Sequence, residues 1–140
     1  MTGPLHVESV GHGPPLVLLH GWAMHGGVFA PLVPRLARRF RVHVVDLPGH
    51  GHSPPPDRFT LDGAVATLEA AFAGETHPVN VLGWSLGGLA ALMWARAVPA
   101  RVGRLALVCT SPRFVSGPDW PHAMTGETLA RFGDDLFRKL

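Results

Sequence analysis

The spacing of apolar positions changes repeatedly along the chain, and each change marks an element. Residues 5–10 alternate apolar with polar, which predicts a half-buried strand, and Gly11-His12-Gly13-Pro14-Pro15 ends it as a turn. Leu16-Val17-Leu18-Leu19 is a continuous apolar run, as in a strand covered on both faces, and it opens into a loop at His20-Gly21. Val28, Phe29, Leu32, Val33, Leu36 and Phe40 then recur at helical offsets. They predict a helix over 28–40, with Pro31 and Pro34 leaving its start open. Val42-His43-Val44-Val45 is a second buried-type strand, and after Asp46 the text turns glycine- and proline-rich as far as Pro56, too irregular for a helix or strand.

Leu61, Val65, Leu68 and Phe72 mark one face of the next helix, and Val79-Asn80-Val81-Leu82 reads as a strand running straight into Gly83-Trp84-Ser85-Leu86-Gly87. Beyond it Leu86, Leu89, Ala90, Met93, Trp94 and Ala97 trace a helix stopped by Pro99, and residues 105–109 form a last strand. Strands alternating with helices argue for an α/β fold, a parallel sheet with helices on its faces. No internal repeat or domain linker interrupts it. Residues 111–123 are loop-like, with Pro112, Gly117, Pro118 and Pro121, and a final helix is expected from Thr125 to the end on Leu129, Phe132, Leu136 and Leu140. Its outer face carries Arg131, Asp134, Asp135, Arg138 and Lys139.

Composition narrows the class of function. At 140 residues and 46% hydrophobic content the chain has the size and make-up of one ordinary globular domain. Twelve Lys and Arg stand against ten Asp and Glu with no basic run, so no nucleic-acid footprint is expected. Cys109 is the only cysteine, which excludes a disulfide framework or a cysteine metal site within this sequence. No apolar stretch approaches the ~18 residues of a membrane span, and residues 1–6 lack the basic and apolar regions of a secretion signal. The expectation is a cytoplasmic protein.

The pentapeptide around Ser85 carries the clearest chemistry. A serine hydroxyl becomes a useful nucleophile when it is held clear of the backbone, supplied with a base, and given donors for the oxyanion its attack creates. A sharp turn from strand to helix supplies the first requirement, and small residues at its flanks, here Gly83 and Gly87, relieve the crowding. Its place between an apolar strand and an amphipathic helix separates it from a chance Gly-x-Ser-x-Gly. The Leu86 amide, at the start of that helix, is one expected oxyanion donor. The second is the Trp22 amide, in the loop after residues 16–19. The Trp22 side chain either lines a substrate pocket or packs as an ordinary aromatic, and Trp84 has the same two readings. Nine histidines raise the question of a metal, but none fits His-Glu-x-x-His, and no metal site is expected. His50 and His52 read as solvent-exposed or structural loop residues. His20 is expected to fix its loop by hydrogen bonds and Asp46 to shape the loop that follows it, neither serving as partner to Ser85.

Leu19-His20-Gly21-Trp22, residues 45–53 (Val-Asp-Leu-Pro-Gly-His-Gly-His-Ser), Leu82-Gly83-Trp84-Ser85-Leu86-Gly87-Gly88, and Ser111-Pro112-Arg113-Phe114 with Asp119-Trp120-Pro121 together resemble the α/β hydrolases. The two tryptophans and the Asp-Trp-Pro segment narrow the resemblance to the pimeloyl-acyl-carrier-protein methyl ester carboxylesterases of biotin synthesis. It covers nearly the whole chain. It implies an α/β-hydrolase fold, a mostly parallel sheet with helices on both faces, with residues 1–112 forming the N-terminal part of the core and 113–140 the start of a lid. It also implies a serine carboxylesterase without cofactor. Ser85 would be the nucleophile, the Trp22 and Leu86 amides the oxyanion hole, and the Trp22 side chain part of the substrate channel. The substrate implied is an ester linked to acyl carrier protein, which family members grip with basic lid residues; Arg138 is the candidate contact.

One departure bears on activity. In α/β hydrolases the triad runs serine, acid, histidine along the chain. After Ser85 the only histidine is His122, in a proline-rich stretch, and Asp119, Asp134 and Asp135 are no better placed as the acid. The chain is therefore expected to be a fragment of the nucleophile half, with an exposed parallel sheet edge, and nearly dead alone. An oxyanion hole without a base leaves roughly 10³-fold over water. Two other functions stay open: a general esterase or lactonase, and a non-catalytic binding module that keeps the fold.

Overall fold

A computed structural model describes residues 3–139, with side chains in the last helix described as far as Asp135. The chain forms two compact units, Met1–Thr110 and Ser111–Leu140. In the first, five strands make one sheet: β1 (Val7–Val10), β2 (Pro15–Leu19), β3 (Arg41–Val45), β4 (Val79–Trp84) and β5 (Val102–Val108), in the order β1-β3-β2-β4-β5. β1 runs antiparallel to β3 from one edge, and every other pairing is parallel.

Alternate residues of the central strands feed two cores. Val17 and Leu19 of β2 join Val45, Val79 and Val81 against Leu68, Phe72, Ala90 and Trp94, which come from α2 (Leu61–Ala71), its C-cap and α3 (Leu86–Ala97). Leu16 and Leu18 point the other way, onto Phe29 and Val42, with Val33, Leu36 and Phe40 packed around them. Helices thus cover both faces, which is why β2 is buried at every position and lacks the polar alternation of a one-sided strand. α2 is capped by Thr60, whose Oγ1 accepts the Gly63 amide at 3.0 Å, and α3 ends two residues before Pro99.

The helix expected over 28–40 is broken. A 3₁₀ turn spans Gly26–Phe29, and a single α-helical turn, α1, spans Val33–Leu36. Pro31 and Pro34 have no amide to donate and restrict the residue before them, so the apolar spacing persists while the helical ladder does not. Both pieces still lay Phe29, Val33 and Leu36 on the sheet.

β5 is exposed from Gly103 onward, with Leu105, Leu107 and Val108 at 36%, 42% and 42% of full exposure. An apolar parallel edge at this strand agrees with the sequence expectation. The second unit holds the bridges Val115↔Met124 and Gly117↔Trp120, an Arg113–Asp119 ion pair at 2.9 Å, and α4 (Gly126–Lys139). Thr125 Oγ1 accepts the Thr128 amide at 3.2 Å, fixing the start of α4. Among the described residues no helix is long and apolar enough to cross a membrane.

Candidate active site

The chain leaves β2 toward β3 on one side and leaves β4 toward β5 on the other, so the connections diverge between these neighbouring strands. The carboxyl ends of strands at such a divergence are the position where open α/β sheets bind ligands. Ser85 stands at the end of β4 and His20-Gly21-Trp22 at the end of β2.

Ser85 has φ 54 and ψ −116, a left-handed conformation strained for any residue with a Cβ. Its backbone is held from three sides. The Ser85 amide donates to Val108 O at 3.0 Å, and its carbonyl accepts the Gly88 amide at 3.0 Å and the Thr110 hydroxyl at 2.6 Å. The side chain makes no hydrogen bond to the helix it caps. Gly83 and Gly87 make the turn possible. A Cβ on Gly83 would lie 2.5 Å from Gly87 O, and one on Gly87 would run into the Leu19 carbonyl. The start of α3 therefore packs directly on the end of β2, where the dipole and unpaired amides of the first turn, Leu86 N–H among them, favour negative charge.

The loop after β2 lies against this turn. A Cβ on Gly21 would sit 3.3 Å from the Trp84 ring and 3.4 Å from Ser85 Cβ. His20, fully buried, fixes the loop: its Nε2 accepts the Leu47 amide at 2.9 Å, so Nδ1 carries the proton and donates to Gly21 O at 2.7 Å. Burial pushes the His20 pKa below its ordinary 6.5, a shift that the bond to Gly21 opposes and His50 reinforces, which keeps the ring neutral. Trp22 is 37% exposed, and Met24 N–H closes a turn onto Gly21 O at 3.2 Å.

Asp46 ties the neighbouring loops. Its Oδ1 accepts the Gly26 amide at 2.6 Å and its Oδ2 the His52 amide at 2.9 Å. Burial by itself would raise the carboxyl pKa; the bonds from His52 and Gly26 override it and hold the pKa below the usual 3.8. The expectations that His20 and Asp46 order loops agree with these contacts.

The loop that holds Trp22 and the turn that holds Ser85 and Leu86 thus lie against each other where β2 and β4 end. Arg138 belongs to α4, and its side chain lies outside the described residues. His122 sits in a turn of the second unit beside the Trp120 ring, at 5.7 Å between centroids. Within the first unit no histidine is hydrogen-bonded to Ser85 among the described residues. Thr110, whose hydroxyl anchors the Ser85 carbonyl, has no sequence signal beyond following the last strand.

The family described as alpha/beta hydrolase fold matches residues 14–134. A protein of Xanthomonas campestris pv. campestris named pimeloyl-[acyl-carrier protein] methyl ester esterase is 52% identical over 134 residues, which is 96% of this chain and 51% of the relative. One of the same name from Chromobacterium violaceum is 51% identical over 132 residues, 94% of this chain and 51% of that protein. The chain spans about half the length of the curated relatives it matches. Among solved structures, an esterase from Exiguobacterium antarcticum has a TM-score of 0.88 at 27% identity, covering 96% of this chain and 52% of that one. A marine microorganism esterase has a TM-score of 0.81 at 25% identity, covering 95% and 50%.

Proposed function

Because this chain belongs to the α/β-hydrolase family, we propose that it carries the nucleophile half of a serine carboxylesterase whose whole protein hydrolyses the methyl ester of pimeloyl-acyl-carrier protein in biotin synthesis, in the cytoplasm. The strained, half-buried Ser85 turn with the Gly21 loop packed on it carries the ester-hydrolase reading. The substrate reading rests on the names of relatives 50–52% identical over nearly the whole chain.

Ser85 Oγ attacks the ester carbonyl carbon and gives its proton to a base. In this reading the amides of Trp22 and Leu86 donate to the resulting oxyanion. As the carbonyl re-forms, the bond to methoxide breaks, the base returns the proton, and methanol leaves an acyl-serine. Water repeats the sequence and frees the carboxylate. The reaction uses no cofactor. Arg138 is proposed to contact the acidic carrier protein. The base is a histidine, which in the order serine, acid, histidine follows Ser85 in the whole protein; among the described residues of the first unit no imidazole bonds to Ser85. The 140-residue chain alone is then a very poor esterase.

The test offers methyl pimeloyl-acyl-carrier protein to the full-length parent protein. Release of methanol and a free carboxylate, abolished by Ser85→Ala, is the expected result. Cleavage of short esters with the carrier-linked ester untouched would reassign the protein as a general esterase. Full carrier-linked activity in Ser85→Ala would remove Ser85 as nucleophile.

A further inference from the structure

His6, Asp46 and His52 come from three separate segments: the approach to β1, the residue after β3, and the glycine-rich loop beyond it. One donor atom of each lies within 4.8 Å of the other two. We propose that these three side chains form a binding site for a divalent transition cation of the zinc class, distinct from the Ser85 turn and independent of its chemistry.

The carboxylate is already oriented. Asp46 is buried, and its two oxygens are held by the Gly26 and His52 amides, so no side-chain ordering remains to oppose binding. Among the described residues Oδ2 accepts the His52 amide alone, which leaves a second lone pair. The loop wraps this closely because residue 51 is glycine: its φ is +51, and a Cβ there would overlap Asp46 Oδ2.

The imidazoles are placed to match. His52 Nδ1 lies 3.5 Å from Asp46 Oδ2. Two donors sharing a tetrahedral ion at about 2.1 Å stand ~3.4 Å apart. His6 is fixed by its backbone, since its amide donates to Ser53 Oγ at 2.9 Å and its carbonyl accepts the Asp46 amide at 3.0 Å. Its ring centroid is 4.8 Å from that of His52. Glu8 Oε1 lies 3.2 Å from His6 Nε2; with Nε2–H donating to it, the lone pair falls on Nδ1.

Two imidazoles and one carboxylate suit zinc, cobalt or nickel rather than calcium or magnesium, which take oxygen ligands. A cavity of about 460 Å³, lined by these three residues together with Glu8 and His25, leaves room for water to complete the coordination. A His52–Asp46 ion pair would explain the 3.5 Å approach by itself, but it would give His6 no part.

The full chain, titrated calorimetrically with zinc chloride near neutral pH, is expected to take up a single Zn²⁺. The affinity should fall at least about tenfold in His52→Ala and in His6→Ala, and stay unchanged in His77→Ala, which removes an exposed histidine elsewhere. Co²⁺ should give visible bands of nitrogen and oxygen coordination that both ligand variants lose. His52 is 78% exposed at its side chain, so its removal leaves the core intact, and His52→Gln provides a second variant should His6→Ala unfold. No uptake by the wild-type chain, wild-type affinity in His52→Ala or His52→Gln, or an equal loss in His77→Ala would each overturn the proposal.

Discussion

His20 Nε2 accepts the amide of Leu47 at 2.9 Å, joining the loop after β2 to the chain that leaves β3. Both residues are fully buried, so the amide has no water to turn to if the ring is removed. His20→Ala should lose about 1–3 kcal/mol for the unsatisfied amide, with a further loss from the cavity. His20→Gln, which can still present an acceptor, should lose less. Urea unfolding of the three proteins checks this; equal stability of wild type and His20→Ala would show that the bond contributes nothing.

Buried neutral imidazoles also make stability depend on pH. His43 resembles His20 in this respect: burial, then the charge of Arg41, lower its pKa below 6.5, against the pull of Glu75, and Ser9 Oγ lies 2.7 Å from its Nδ1. Below about pH 6.5 the unfolded chain takes up protons on both rings while the folded chain does not. Their contribution is therefore complete above 6.5 and is lost as pH falls from there to the lowered folded values, at up to about 1.4 kcal/mol per pH unit for each ring. The lowered Asp46 pKa adds a separate loss below 3.8. Unfolding midpoints measured from pH 7.5 downward should drop as the solution passes 6.5; a flat profile to pH 5 would mean that neither ring stays neutral in the fold.

These two histidines also show how much was legible in the sequence. Features set by near neighbours could be read: the buried run at Leu16 to Leu19, the helical face of Leu61, Val65 and Leu68, and the Ser85 turn between glycines. Trp22 falls in the loop after β2 and Leu86 at the start of α3, where the strand and helix patterns put them. The strand order could not be read, since β3 lies outside β2 only after the chain has crossed the sheet. The helix over 28–40 failed because apolar spacing counts side chains and takes no account of the amides that Pro31 and Pro34 lack. No pattern of spacing could have joined His6 to Asp46 and His52, which are brought together by the β1 and β3 pairing and one glycine turn. Nor does anything local mark Thr110 as a support for Ser85.

The strain at Ser85 can be measured directly. At φ 54 and ψ −116 a glycine would sit without the Cβ conflict, releasing about 1–3 kcal/mol, offset by roughly 0.5–1 kcal/mol of extra chain entropy in the unfolded state. Ser85→Gly should therefore be more stable than Ser85→Ala by about 1 kcal/mol, although both lack the hydroxyl. Denaturant unfolding of the pair gives the difference. Equal midpoints, or a less stable glycine variant, would mean that the turn is not strained in solution and that Ser85 is not held there at the expense of stability.

The exposed edge at β5 makes a last prediction. Leu105 and Leu107 lie on one face of an edge strand whose outer side has no strand partner among the described residues, a template on which other chains can pair. The 140-residue chain should therefore self-associate with rising concentration, and a charge on that face should prevent it. Leu107→Lys places an ammonium at a site 42% exposed, where substitution costs little stability. The same change at Val17, fully buried in β2, should unfold the protein. Static light scattering against concentration, with thermal unfolding alongside, separates the effects: Leu107→Lys should keep its midpoint and lose the rise in scattering. An unchanged rise would mean that association uses another surface, and a wild-type chain monodisperse at all concentrations would show that the open strand is not a pairing edge.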